Sequence, residues 1–114
     1  MKKFTKPKTG AAEPYTNRLK VPFSVCFKYK LQNGYTFEEM TVKHLKEWQN
    51  FLDIASQLTF EEAERRYRRV SDTADVYDGE QVIHYAVSKR FRIHGIIENG
   101  QFVILRMDPN HSVH

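Results

Sequence analysis

The stretch of sequence that decides the fold is Lys89-Arg-Phe-Arg-Ile-His-Gly-Ile-Ile-Glu-Asn-Gly-Gln-Phe-Val-Ile-Leu-Arg-Met-Asp-Pro-Asn-His111. Two runs of alternating apolar residues flank Asn99-Gly100. This pair tolerates the positive φ angles of a type I′ turn. The pattern therefore predicts a β-hairpin, in which two antiparallel strands are joined by a two-residue loop.

Counting outward from the loop gives the register of the predicted hairpin. The expected pairs are Glu98 with Gln101, Ile96 with Val103, His94 with Leu105, Arg92 with Met107 and Phe91 with Asp108. The strand period of two places Arg90, Arg92 and His94 on one face. The other face is expected to carry Phe91, Ile93, Ile97, Phe102, Ile104, Arg106 and Asp108. We expect function to reside in the basic row with its histidine.

The composition predicts one small domain that binds an anionic partner. The chain has 114 residues, of which 40% are hydrophobic, and a formal charge of +4. That is enough for a single core, and the charge favours nucleic acid or an acidic protein. The single cysteine, Cys26, is expected to pack in the core of a cytoplasmic protein. Since no run approaches the roughly 20 apolar residues of a membrane span, we expect no membrane contact.

The chain divides into a basic N-terminal arm, residues 1–20, and one domain over residues 21–114. The arm is rich in Lys, Pro and Thr, and either a solubilising tail or a partner-binding arm fits that composition. Residues 21–31 alternate in part and predict a first strand. Residues 71–80 are expected to form an acidic loop, and residues 82–87 a further strand.

Two helices are predicted between these strands. Over residues 41–58 one helical stripe carries apolar side chains, namely Val42, Leu45, Trp48, Leu52 and Ala55. Thr59 and Glu62 match a capping box and start the second helix. Phe60, Ala63, Tyr67 and Val70 are expected to share its buried face.

Arginines cluster at the end of the second helix, at positions 65, 66, 68 and 69. Positive charge there complements the helix dipole after the glutamates of the first turn. Four arginines exceed what the dipole requires, so Arg65 and Arg69 are also candidates for contact with a phosphate chain. The sequence leaves both interpretations open.

The order of elements predicts an α+β domain in which two helices pack on an antiparallel sheet. This order resembles that of the small bacterial RelE-like toxin nucleases. The resemblance extends to Lys89-x-x-Arg92-x-His94-Gly95 and to Ile104-Leu105-Arg106-x-Asp108-Pro109-Asn110-His111. The Asp-Pro-Asn-His ending is also similar to a signature in uncharacterised bacterial and prophage proteins.

This resemblance implies the toxin of a toxin–antitoxin system, an endoribonuclease that cleaves messenger RNA without a metal or other cofactor. It implies RNA as a partner, with ribosome dependence left open, and a small acidic antitoxin. In such a reaction one group accepts the 2′-hydroxyl proton, another protonates the leaving oxygen, and cations stabilise the phosphorane. His94 and His111 are the candidate base and acid, since histidine titrates near neutrality, with Arg92 stabilising charge.

The remaining candidates contact RNA in this interpretation. Lys89, Arg90 and Arg106 would bind phosphate, and Tyr85 or Tyr67 would stack on a base. No tight ligand spacing links the histidines to Asp108, so a metal site is not expected. The alternative is a non-catalytic phage or mobile-element protein that uses the same face to bind nucleic acid or an acidic protein.

Overall fold

A computed structural model describes residues 20–112. Helix α1 spans Val42–Ala55 and helix α2 spans Phe60–Tyr67. A 3-10 turn at Phe37–Glu39 precedes α1. Within residues 20–112 the strands are β1 (Val25–Cys26), β2 (Arg68–Arg69), β3 (Val76–Tyr77), β4 (Glu80–Gln81), β5 (Ile83–Ala86), β6 (Arg92–Glu98) and β7 (Gln101–Asp108).

The strands form one five-stranded sheet and one small hairpin. The main sheet has the order β1-β7-β6-β5-β2, and β3 pairs with β4 separately. Only the β1–β7 pairing is parallel in the described main sheet. The predicted α+β class, with two helices and a mostly antiparallel sheet, is confirmed. No helix in residues 20–112 is long and apolar enough to cross a membrane.

Both helices begin at capping boxes. The predicted box at α2 is present, because Thr59 N donates to Glu62 Oε1 at 2.8 Å and Glu62 N donates to Thr59 Oγ1 at 3.2 Å. At α1 the same geometry uses a histidine, since Thr41 N donates to His44 Nδ1 at 3.1 Å. Each box satisfies amides that the first helical turn leaves free, which stabilises a helix by about 1 kcal/mol.

The two helices cover one face of the main sheet. The side chains buried there are Phe23, Trp48, Phe51, Ala55, Phe60, Ala63, Tyr67, Tyr85, Phe91, Ile93, Phe102, Ile104 and Met107. A smaller apolar cluster of Val82, Ile96, Val103 and Leu105 lies apart from this core. Together these clusters bury both faces of β6 and β7 and hold the central strands rigidly.

Three boundaries differ from the sequence predictions. The first strand is only β1, and its parallel pairing with β7 was not predicted. Helix α2 ends at Tyr67, so Val70 is 98% exposed rather than buried. The loop expected over residues 71–80 contains β3 and the start of β4, joined by Asp78-Gly79 with φ angles of 50° and 84°. The predicted arm, residues 1–20, lies outside the described residues except for Lys20.

A β-bulge changes the register between β6 and β7. Near Asn99-Gly100, where both φ angles are positive, Glu98 pairs with Gln101 and Ile96 with Val103, as the sequence predicts. Beyond the bulge the pairs are Gly95 with Ile104, His94 with Arg106, Ile93 with Met107 and Arg92 with Asp108. Leu105 is the additional residue.

The bulge overturns the predicted assignment of faces. The expected pairs of His94 with Leu105, Arg92 with Met107 and Phe91 with Asp108 are wrong. Because Leu105 adds one residue to β7, Arg106 and Asp108 lie on the same side as His94.

Candidate nucleic-acid interface

The connection between β5 and β6 positions several basic side chains. It closes as a turn, because Val87 N donates to Phe91 O at 2.8 Å. Arg92 Nη1 donates to the carbonyl oxygens of Ser88 at 2.7 Å and Lys89 at 3.0 Å. These bonds tie the guanidinium to the turn and hold the connection in one conformation.

On one side of this turn lies an open cleft of about 450 Å³, which we call the basic cleft. It is lined in part by Tyr67 of α2 and by Ala86, Val87 and Ser88. Four cationic side chains line it, namely Arg66, Arg69, Lys89 and Arg92, and no carboxylate is among the residues that line it. The basic cleft therefore concentrates positive charge from α2, β2 and the β5–β6 turn.

The positive charges in the basic cleft are close enough to affect one another. Partial burial lowers the pKa of Arg92, and the neighbouring charge of Arg69 lowers it further. The Arg66 guanidinium carbon lies 5.7 Å from the centre of the Tyr67 ring. Burial raises the pKa of Tyr67, so its hydroxyl stays protonated at neutral pH. An anion bound here would relieve the repulsion between the guanidinium groups.

A second cleft of about 390 Å³, which we call the His44 cleft, lies on the other side of the same turn. It is lined from α1 by Lys43, His44 and Glu47, and from elsewhere by Ser88, Lys89, Arg90, Pro109 and Asn110. Ser88 and Lys89 line both clefts, which therefore adjoin. Arg90 Nη2 donates to Asn110 O at 3.3 Å and links the turn to the segment after β7.

His111 follows the residues that line the His44 cleft. It is exposed and has a φ of 53°, and its N–H donates to Asp108 O at 3.3 Å. The Asp108 carboxylate accepts bonds from Ser112 N at 2.9 Å and Ser112 Oγ at 3.0 Å. This turn holds the segment after β7 against the sheet.

His94 lies in a buried polar cluster with His84 and lines neither cleft. The two rings stack with their centroids 3.8 Å apart, and His94 has no exposed surface. His84 Nε2 donates to Asp75 Oδ2 at 2.8 Å, whereas neither ring nitrogen of His94 has a hydrogen-bond partner in the described structure. Asp108 Oδ2 lies 3.7 Å from His94 Nε2, which is too far for a hydrogen bond.

Both buried histidines are neutral at pH 7. Burial lowers the pKa of His94 to about 2, and the neighbouring His84 and Arg106 act in the same direction. Burial also lowers the pKa of His84, although its bond to Asp75 opposes the shift. The contact between His94 and Asp108 is therefore not an ion pair.

Four of the other predicted site residues line the clefts. Lys89, Arg69 and Arg92 line the basic cleft, and Arg90 lines the His44 cleft. Arg65 is exposed but lines neither of them.

Arg106 and Tyr85 lie elsewhere. Arg106 is buried and donates to Asp75 Oδ2 at 2.6 Å. Tyr85 has no exposed surface, and its hydroxyl donates to Glu64 Oε2. Its ring packs beside Phe102 in the core and has no face for a base to stack on.

Among the basic side chains and histidines that line the clefts, Arg66, Lys43 and His44 were not among the predicted site residues. Arg66 belongs to the arginine cluster, but sequence alone does not show which of its members face the β5–β6 turn. His44 had a local signal in its position three residues after Thr41, the spacing of a capping box. Within residues 20–112, no group of three or more His, Cys, Asp or Glu side chains is arranged to hold a metal ion.

Comparison with known proteins provides no relative for this chain. No family model matches it, and no match was found among curated proteins or solved structures. The resemblance to RelE-like nucleases therefore stays a prediction.

Proposed function

We propose that this protein is a metal-independent endoribonuclease that holds messenger RNA along the basic cleft. The observation that carries the proposal is the set of four cationic side chains in the cleft, with no carboxylate among its lining residues. Arginine is suited to phosphate because its planar guanidinium can bind two oxygens at once. An RNA backbone carries a phosphate at every nucleotide. Successive phosphates of one strand can therefore occupy the two adjoining cationic clefts.

The proposed chemistry is attack of a 2′-hydroxyl on the adjacent phosphate. His111 is exposed and follows Asn110, which lines the His44 cleft, and we assign it both proton transfers. Its imidazole accepts the 2′-hydroxyl proton as the bond from the 2′-oxygen to phosphorus forms, and it returns that proton to the 5′-oxygen as the bond from phosphorus to the 5′-oxygen breaks, which leaves a 2′,3′-cyclic phosphate. Lys89 and Arg92 stabilise the negative charge that develops on the phosphorane. His94 takes no direct part in this proposal, since an RNA strand cannot reach a side chain without exposed surface.

Control by an acidic antitoxin is part of this proposal. A protein with clustered carboxylates could neutralise the basic cleft and exclude RNA from it, as electrostatic complementarity favours. The RelE-like assignment and ribosome-bound messenger RNA as the substrate belong to the same proposal, and the sequence resemblance supports them.

The second candidate is a nucleic-acid-binding protein without catalytic activity. The burial of His94 favours it, because one of the two histidines expected to transfer protons is enclosed and neutral. Both candidates bind RNA in the basic cleft, and they differ in whether His111, Lys89 and Arg92 also carry out chemistry on it.

Induced expression separates these candidates. We would express the wild type, His111→Ala and the surface control Arg65→Gln, and follow growth together with the integrity of cellular messenger RNA. The nuclease proposal expects growth arrest and RNA cleavage from the wild type and the control, and neither from His111→Ala. Intact RNA in all three strains, with RNA binding retained in vitro, would leave the binding protein as the remaining candidate.

A further inference from the structure

We propose that His44 forms, with Lys89 and Arg90, a second phosphate-binding subsite for the same RNA strand. This inference rests on the proposed function and adds His44 to the residues that bind the RNA. The His44 cleft adjoins the basic cleft through Ser88 and Lys89, so a strand that leaves the basic cleft enters the His44 cleft next. The subsite would hold the phosphate of a neighbouring nucleotide.

The capping box determines which nitrogen of His44 carries the proton. Thr41 N–H can only donate, so His44 Nδ1, 3.1 Å away, must accept. A neutral imidazole with an accepting Nδ1 has its proton on Nε2. Among residues 20–112, this Nε2–H has no hydrogen-bond partner. The ring therefore retains one donor for a ligand while its other nitrogen caps α1.

Packing holds the ring in place. The ring of His44 meets Phe91 edge to face, with centroids 6.0 Å apart and an interplanar angle of 77°. Phe91 is fully buried next to the β5–β6 turn. The donor is thus fixed relative to the turn that carries Lys89 and Arg90, and little side-chain entropy is lost when a ligand binds.

The charges around the subsite favour an anion. Lys43, Lys89 and Arg90 line the cleft together with a single carboxylate, that of Glu47. Arg90 is held by its bond to Asn110 O at 3.3 Å, which keeps its guanidinium near the cleft. The cleft thus has three cationic side chains and one carboxylate, together with the N–H donor of His44. This combination suits a phosphodiester, which carries one negative charge and accepts hydrogen bonds.

The capping box also provides a matched pair of variants. Gln and Glu are the usual residues at this position of a capping box, and each can accept the bond from Thr41 N–H. His44→Gln keeps an N–H donor for phosphate, whereas His44→Glu has none and adds negative charge. Asn50→Glu is the control, because it adds the same charge on an exposed part of α1 that lines neither cleft.

The test measures the affinity of each full-length variant for a fluorescent single-stranded RNA, with helix content checked by circular dichroism. We expect His44→Gln and Asn50→Glu to bind within about twofold of the wild type. His44→Glu should bind about tenfold more weakly, the size expected when a hydrogen bond to a charged group is lost. Equal affinity of His44→Glu and Asn50→Glu would overturn the subsite alone. A wild type that binds no RNA would overturn the proposed function along with it.

Discussion

The imidazole rings of His84 and His94 stack with their centroids 3.8 Å apart and their planes 22° from parallel. They meet because β5 and β6 pair His84 directly with His94. His84 is anchored by Asp75, while both ring nitrogens of His94 lack a hydrogen-bond partner in the described structure. Neutral rings can stack at this distance, whereas two protonated rings would repel each other.

We expect stability to fall as the pH is lowered from 7 to 5. The pKa of His94 is about 2 in the folded state, against 6.5 for an ordinary histidine, so between these values the unfolded chain binds more protons. One such group makes the free energy of unfolding fall by about 1.4 kcal/mol for each pH unit below 6.5, or about 2 kcal/mol by pH 5. Burial of His84 adds a loss of the same sign. Urea unfolding at several pH values measures this slope.

His94→Leu should make the free energy of unfolding depend less on pH, because leucine does not titrate. Leucine is also close to histidine in volume, so the core should keep its packing. Val70→Leu is the control, since Val70 is 98% exposed and its substitution changes no titratable group, so the slope should stay as it is. An unchanged slope in His94→Leu would show that other groups cause the acid sensitivity.

Gly95→Ala should destabilise the fold by about 3 kcal/mol or more, near the upper end for an overpacked core. A methyl group on Gly95 would overlap the carbonyl oxygen of Val103, so β6 and β7 would have to separate. Gly100→Ala is the matched control. A methyl group there meets nothing within 4 Å, and only its φ of 78° costs energy, about 1 kcal/mol. Thermal unfolding of both variants tests the difference, and equal losses would contradict the close approach.

Arg106→Gln should lower stability and leave RNA affinity nearly unchanged. Arg106 is buried and bonded to Asp75 at 2.6 Å, so its loss leaves a partly buried carboxylate without its cation, at a cost of about 3 kcal/mol. Adding Asp75→Asn should recover part of this loss. If Arg106→Gln instead weakened RNA binding while its unfolding midpoint stayed at the wild-type value, Arg106 would belong to the interface after all.

The salt dependence of RNA binding should distinguish two neighbouring arginines. Arg66 lines the basic cleft and Arg65 does not. Each phosphate contact contributes about −0.7 to the slope of log K against log salt concentration for a single strand. Arg66→Gln should make the slope shallower by about 0.7, and Arg65→Gln should not. Titrations from low to moderate salt measure both, and equal slopes would contradict the placement of Arg66 at the interface.

Local signals in the sequence predicted the parts of the fold that depend on neighbouring residues. The capping box at Thr59 and the pairing of Glu98 with Gln101 are set within a few residues, and both are present. The same kind of signal existed for the β3–β4 turn, since Asp78-Gly79 also suits a type I′ turn. An isolated glycine within a strand often marks a bulge, so Gly95 was a readable sign of the register change.

The grouping of residues at the candidate site results from tertiary packing, which could not be predicted from local sequence patterns. His44 and Arg90 share a cleft only because α1 packs beside the β5–β6 turn. The burial of His94 results from β5 on one side and the bulge in β7 on the other. The location of Lys89 and Arg92 was easier to predict, because both lie in or beside the turn that the two clefts share. Their role in RNA binding stays a prediction.

The most direct measurement of the central claim is the affinity of a double variant of the basic cleft for single-stranded RNA in the presence of a metal chelator. Arg66→Gln with Lys89→Gln removes two cations that line the cleft. Arg65→Gln with Lys46→Gln removes the same charge from exposed positions outside both clefts. We predict that the first pair lowers affinity by about tenfold or more relative to the second, with equal unfolding midpoints. Equal affinities of the two double variants, or no binding by the wild type, would contradict the claim that the basic cleft holds RNA.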